Sequence, residues 1–124
     1  MTADWVHLCH ADDLDVAGHC VTVAFADGRN HRVAVEDCGG EYRLCAFVVR
    51  QAVVSKRPEL PKKVWSRNLS TPLVCFRIDN RRRLVGEAWV PKAGLSAEEF
   101  QLYLRNLAVE CDRFEYVLTG RDVE

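Results

Sequence analysis

Apolar residues recur in two different rhythms along this chain, and the change of rhythm marks its elements. From Val21 the period is two. Val21, Val23 and Phe25 alternate with smaller or polar neighbours, Asp27-Gly28 supplies a hairpin-turn signal, and Val33 and Val35 resume the alternation. Gly39-Gly40 marks a second reversal, and Tyr42 to Val49 follows with apolar residues on both faces, the pattern of a strand covered on both sides. These segments predict an antiparallel meander. Before them, Trp5 to Cys9 fit a short additional strand, and Asp12, Asp13 and Asp15 suggest an exposed turn.

Ser55 to Pro61, with Lys56, Arg57 and Pro58, interrupts the apolar pattern over a stretch too short to separate domains. From Pro61 to about Leu69 the sequence suits a short helix: proline is tolerated in the first turn, Pro72 prevents continuation, and Val64, Trp65, Asn68 and Leu69 fall near one side. Two strands follow, Leu73 to Asp79 and Leu84 to Val90, joined by a polar turn at Asn80 to Arg83; Val74, Phe76 and Ile78 make an inward face. The period then lengthens. Ser96 and Glu99 form a capping box, Leu95 can pack on Phe100 as a hydrophobic staple, and Gly120 is placed to end the helix between them. Phe100, Tyr103, Leu104, Leu107, Cys111, Phe114 and Leu118 share one helical face, while Leu102, Val109 and Tyr116 line up seven apart on the other. The pattern predicts one α+β domain over residues 1–124: an antiparallel sheet of about five strands, a short middle helix and a long C-terminal helix packed on one face.

Length and composition narrow this picture. A chain of 124 residues, 48% hydrophobic and 28% charged, is long enough to bury an ordinary core without metal or disulfide staples. A formal net charge of −1 gives no basic excess for nucleic acid or an anionic membrane, which leaves a protein as the expected partner. Asp4 and His7 break the N-terminal segment, which lacks the features of a signal peptide, and no apolar run approaches the roughly 20 residues of a membrane helix; the expected location is the cytoplasm. The six cysteines, Cys9, Cys20, Cys38, Cys45, Cys75 and Cys111, sit mostly within apolar strand or helix patterns and read as reduced thiols.

From Val64 to Gly120 the order of elements is a short helix with Asn68 near its end, the strand LVCFRID, the turn NRRRL, the strand VGEAWVP, and a helix running from GLSAEEF to CDRFEYVL. This stretch resembles the YbjN-like proteins and the wider class with a type III secretion chaperone-like fold, and the hairpin VTVAFADGRNHRVAVE is compatible with their first strands. The chain departs from that pattern at Trp5 to Gly18, where the family's usual N-terminal helix is missing or replaced. The resemblance implies a non-enzymatic cytosolic module that binds proteins, often as a homodimer.

The candidate contact residues follow from the patterning. Leu102, Val109 and Tyr116 form an apolar row flanked by Arg105, Asn106, Asp112 and Arg113, as the rim of a contact patch would be. Val85, Glu87 and Trp89 lie on one side of their strand; Trp89 faces away from the final helix, where with Leu73 and Cys75 it forms a binding surface or is covered by the N-terminal region, and Trp65 has the same alternatives. Against these stands a zinc site drawn from His7, Cys9, His10, His19 and Cys20, whose residue types suit the metal but whose spacing contains no Cys-x-x-Cys. A cysteine enzyme would require His31 or another histidine to approach Cys38 or Cys45, and no nucleophile elbow, P-loop or dinucleotide fingerprint is present. Asp12, Asp13 and Asp15 lack calcium-loop spacing, and Arg81, Arg82 and Arg83 read as a solvated hairpin tip without aromatic stacking partners. The expected assignment is a protein-binding module with neither cofactor nor catalytic residues.

Overall fold

The alternating segments do pair in sequence, and the long helix lies across one face of the sheet they form. In the computed structural model, which describes residues 4–120, a 3-10 helix (Asp4–Cys9) precedes β1 (Leu14–Ala17), β2 (Cys20–Ala24), β3 (Asn30–Asp37) and β4 (Glu41–Val49). Two helices, α1 (Gln51–Ser55) and α2 (Leu60–Ser70), lead to β5 (Cys75–Ile78), β6 (Leu84–Pro91) and α3 (Ala97–Thr119). All strand pairs are antiparallel, in the order β1-β2-β3-β4-β6-β5.

The period-two residues become a buried floor. Val21, Val23, Val33, Val35, Tyr42, Leu44, Ala46, Val48 and Val90 all point to the α3 side and are buried there. A bulge between Phe47 and Val49 shifts the register, so Val48 and Val49 are both buried although adjacent. α3 meets this floor with Phe100, Leu104, Leu107, Ala108, Cys111, Phe114 and Leu118. Gly86 is the point of closest approach: a Cβ there would sit 2.5 Å from Cys111 Sγ and 3.2 Å from Phe76 Cε1. Edge-on aromatic contacts lock both ends of the layer, Tyr42 with Phe100 at 5.5 Å and Phe76 with Phe114 at 4.9 Å. The capping box at Ser96 and Glu99 is formed, and Gly120 ends the helix in the left-handed conformation.

Several details depart from the sequence expectations. The sheet has six strands because Leu14–Ala17, including Asp15, pairs with β2 instead of joining the turn. Trp5 to Cys9 is a 3-10 helix against α3; Trp5 is buried and packs 6.3 Å from Phe100. Strand β4 is covered on one face only, since Phe47 on its other face is 43% exposed. Helix α2 turns Leu60 and Val64 inward and carries Trp65 and Leu69 outward. Its Asn68 reaches edge strand β5, donating from Nδ2 to the Phe76 carbonyl at 2.9 Å and accepting the Phe76 amide at 2.7 Å. One side chain thereby supplies the backbone partner that an edge strand lacks, and closes that position to an added strand.

Candidate functional site

Among the described residues no helix packs on the face of the sheet turned away from α3, and its strand register sets out what it presents. One row runs Trp89, Arg43, Glu36 across β6, β4 and β3; the next runs Cys75, Glu87, Cys45, Ala34, Cys20 from β5 to β2; a third places Val85 between Arg77 and Phe47. Trp89 is 46% exposed. The N-terminal 3-10 helix does not cover it, because that helix packs on the opposite side with α3. Val85 is buried among its neighbours and forms the floor of this face; its side chain is not on offer to a partner.

A buried carboxylate sits at the centre of the face. Glu87 accepts from Arg43 Nε at 3.2 Å and from Arg77 Nε at 2.7 Å, and Arg43 extends the chain to Glu36 at 3.0 Å. Burial pushes the Glu87 carboxyl upward, but the hydrogen bonds from Arg43 and Arg77 outweigh it and hold the group below the ordinary carboxylate range. In register, Arg43 is paired with Trp89, and Arg77 lies across Val85 from Phe47. The result is a surface with aromatic residues at two ends and alternating charge between them, suited to an extended, mixed-polarity chain.

A second apolar area lies along the helices. Trp65 (63% exposed) and Leu69 (71%) stand one turn apart on α2, and Leu73 follows in the linker with a positive φ of 68°. Asn106 on α3 donates to the Pro72 carbonyl at 3.5 Å, bringing this linker to α3 one turn from exposed Leu102. Trp65, Leu69, Leu73 and Leu102 are exposed apolar side chains along the edge where α2 and its linker approach α3. The row expected on α3 is split: Leu102 joins this edge, Tyr116 is exposed near the helix end, and half-buried Val109 lines a cleft of about 450 Å³. That cleft runs between α3 and the β2–β3 turn. Its charges are internally matched, with Arg105 on Asp13 at 2.7 and 2.8 Å and Arg29 on Asp112 at 2.7 Å.

The competing chemistries fare differently. His7, Cys9, His10, His19 and Cys20 do not gather into a ligand cluster. Burial pushes the Cys9 thiol up to about 11, which disfavours the thiolate a metal needs. Cys45 is likewise pushed up by burial and lies on the opposite sheet face from His31, and Cys38 lies beyond the far end of β3. Arg83 of the basic turn is held by Asp79 at 2.8 Å, and Asp79 also accepts the Arg81 and Arg83 amides. Sequence reasoning missed Phe47 and Leu69 as exposed apolar residues, whereas Leu73, set on the outer side by its period, is exposed. Among the described residues no helix is long and apolar enough to cross a membrane.

Comparison with known proteins agrees with this architecture. One chain of the ExsC–ExsE complex superposes with a TM-score of 0.61 at 18% identity, covering 94% of this chain and 89% of that one. A chain of the heterodimeric ExoU–SpcU complex, from the type III secretion system of Pseudomonas aeruginosa, gives 0.53 at 14% identity, with 78% and 80% covered. A chain of the Yersinia pestis complex between the type III secretion chaperone SycH and a stable fragment of YscM2 gives 0.53 at 11% identity, with 86% and 96% covered. At these identities the likeness is one of fold. No curated protein sequence matches significantly. The profile of the YbjN family, described as "Putative bacterial sensory transduction regulator", matches residues 2–118, nearly the whole described chain, and the protein belongs to the YbjN family.

Proposed function

We propose that this chain is a non-enzymatic protein-binding module, chaperone-like or adaptor, that acts as a homodimer in the cytoplasm. The observation that carries the reading is the one-sided cover of the sheet: α3 buries one face, and the other presents Trp89 and Phe47 around the Arg43–Glu87–Arg77 network. That face takes the client, an extended segment whose apolar side chains meet the aromatic residues and whose polar groups meet the network. The apolar edge of Trp65, Leu69, Leu73 and Leu102 takes a second copy, because a two-fold interface needs a patch complementary to itself. The fold neighbours support the client half: each is a protein determined in complex with another protein.

Two measurements separate the halves. Sedimentation of the wild type at increasing concentration is expected to give a dimer, and Trp65→Ala with Leu102→Asp a monomer of unchanged helicity; a monomeric wild type overturns the dimer. Photo-crosslinking from position 47 in the native cytoplasm is expected to trap protein partners that Trp89→Ala loses. Equal recovery with Trp89→Ala removes the sheet face from the proposal, and a measured turnover removes the proposal itself.

A further inference from the structure

His31 and two residues of α3 come together away from the outer sheet face. His31 at the start of β3 lies on the same side of its strand as Val33 and Val35 and so faces α3, where Asp112 and Glu115 are one turn apart. One ligand atom from each of the three lies within 4.8 Å of the others. The ring of His31 is oriented by a backbone group: Nε2 lies 2.7 Å from the Phe47 carbonyl, which only accepts, so Nε2 donates there and Nδ1 is the nitrogen left to meet a metal. Asp112 spends one oxygen on Arg29 at 2.7 Å and keeps the other. Glu115 is half-buried, and among the described residues its carboxylate has neither hydrogen bond nor ion pair. Partial removal from water without a compensating partner is costly for a carboxylate, and a cation between the three groups would remove that cost.

We propose that His31, Asp112 and Glu115 form a binding site for one divalent transition-metal ion of the zinc class. One imidazole and two carboxylates are the hard-to-borderline ligand set such ions take, and three protein ligands leave a further position for water. The contact from the Phe47 carbonyl to the metal-binding ring is the outer-shell support that histidine ligands require. These residues are 81 or more positions apart from strand to helix, so no spacing motif announces them. The ion would tie the start of β3 to the last turns of α3, independently of the protein-binding reading.

Cobalt(II) is the probe, because six free cysteines could bind zinc elsewhere and a thiolate would announce itself on cobalt by intense near-ultraviolet charge transfer. Titration of the chelator-treated full chain is expected to give one equivalent bound, with weak visible bands and no thiolate band. Glu115→Gln and His31→Gln should each weaken binding by about tenfold or more. No binding by the wild type, a thiolate band, or unchanged affinity in Glu115→Gln would overturn the proposal. Should a variant fail to fold, paramagnetic broadening of the wild-type amide spectrum decides: broadening centred on residues 31, 112 and 115 supports the site, and broadening centred elsewhere refutes it.

Discussion

The two faces of the sheet are built from the same strands by the same alternation, yet they have opposite contents. The buried centre of the face under α3 is apolar, closed by Phe100, Leu104, Leu107 and Phe114. The other carries Trp89 and Phe47 half in water, with a buried carboxylate held by two guanidinium groups between them. Replacing Phe100 by alanine should leave a cavity against Trp5 and Tyr42 and cost about 3–5 kcal/mol in urea unfolding. Trp89→Ala should change stability by under ~1 kcal/mol, because much of the ring is already solvated. If the two changes cost the same, the faces do not divide the work of folding and binding as described.

Gly86 sharpens the contrast, since it belongs to the inner face of the same strand that presents Trp89 outward. Gly86→Ala would force a methyl group against Cys111 Sγ, a short buried side chain that cannot move aside, at an expected cost of about 1–3 kcal/mol. Combining it with Cys111→Ala should recover part of that loss, and the coupling is measurable in a double-mutant cycle. Strictly additive effects would mean that the helix does not bear on the sheet at this point.

The sequence carried the inner face well and the outer face poorly, for a physical reason. Burial against α3 requires a consistent row, and Val33, Val35, Leu104 and Leu107 announce it by period alone. So does the helix start at Ser96 and Glu99, whose reciprocal hydrogen bonds are local. Whether Phe47 lies under another layer depends on which layers exist, and nothing within β4 encodes that. Trp65 keeps both alternatives in the sequence for a similar reason: it lies one residue from Val64, and a rotation of α2 by one position decides which of them is inside. The Leu14–Ala17 strand was obscured by the acidic residues before and within it, and the ties from Arg105 to Asp13 and from His31 to α3 join residues far apart in sequence.

Electrostatics offers the next comparison, between Glu87, held by two arginines, and Glu115, whose carboxylate makes no hydrogen bond or ion pair among the described residues. Glu87→Gln removes the charge that both Arg43 and Arg77 address, and should destabilise by on the order of 1 kcal/mol at pH 7. Because the folded protein holds this carboxyl below its unfolded value, near 4.3 for a free glutamate, the contribution is full above that value. It is lost as pH falls through the folded value. Denaturant midpoints of wild type and Glu87→Gln should therefore converge in acid.

Glu115 should do the reverse, with a smaller effect. Burial is the largest influence on it and, with the neighbouring Asp112, raises its carboxyl above the ordinary range despite His31 and Arg29. A carboxyl whose folded value lies above its unfolded one costs stability when ionised, and the cost disappears as pH falls through the folded value and the group takes up a proton. In the metal-free chain Glu115→Gln should therefore raise stability at pH 7, by less than about 1 kcal/mol for a group only partly removed from water. The gain should shrink toward pH 4 and reverse in sign once saturating cobalt is present, because the ion stabilises only the form that keeps the carboxylate. A destabilised, metal-free Glu115→Gln would show that this carboxylate already has its partner, and would bring the two glutamates, and the two regions they mark, under one account.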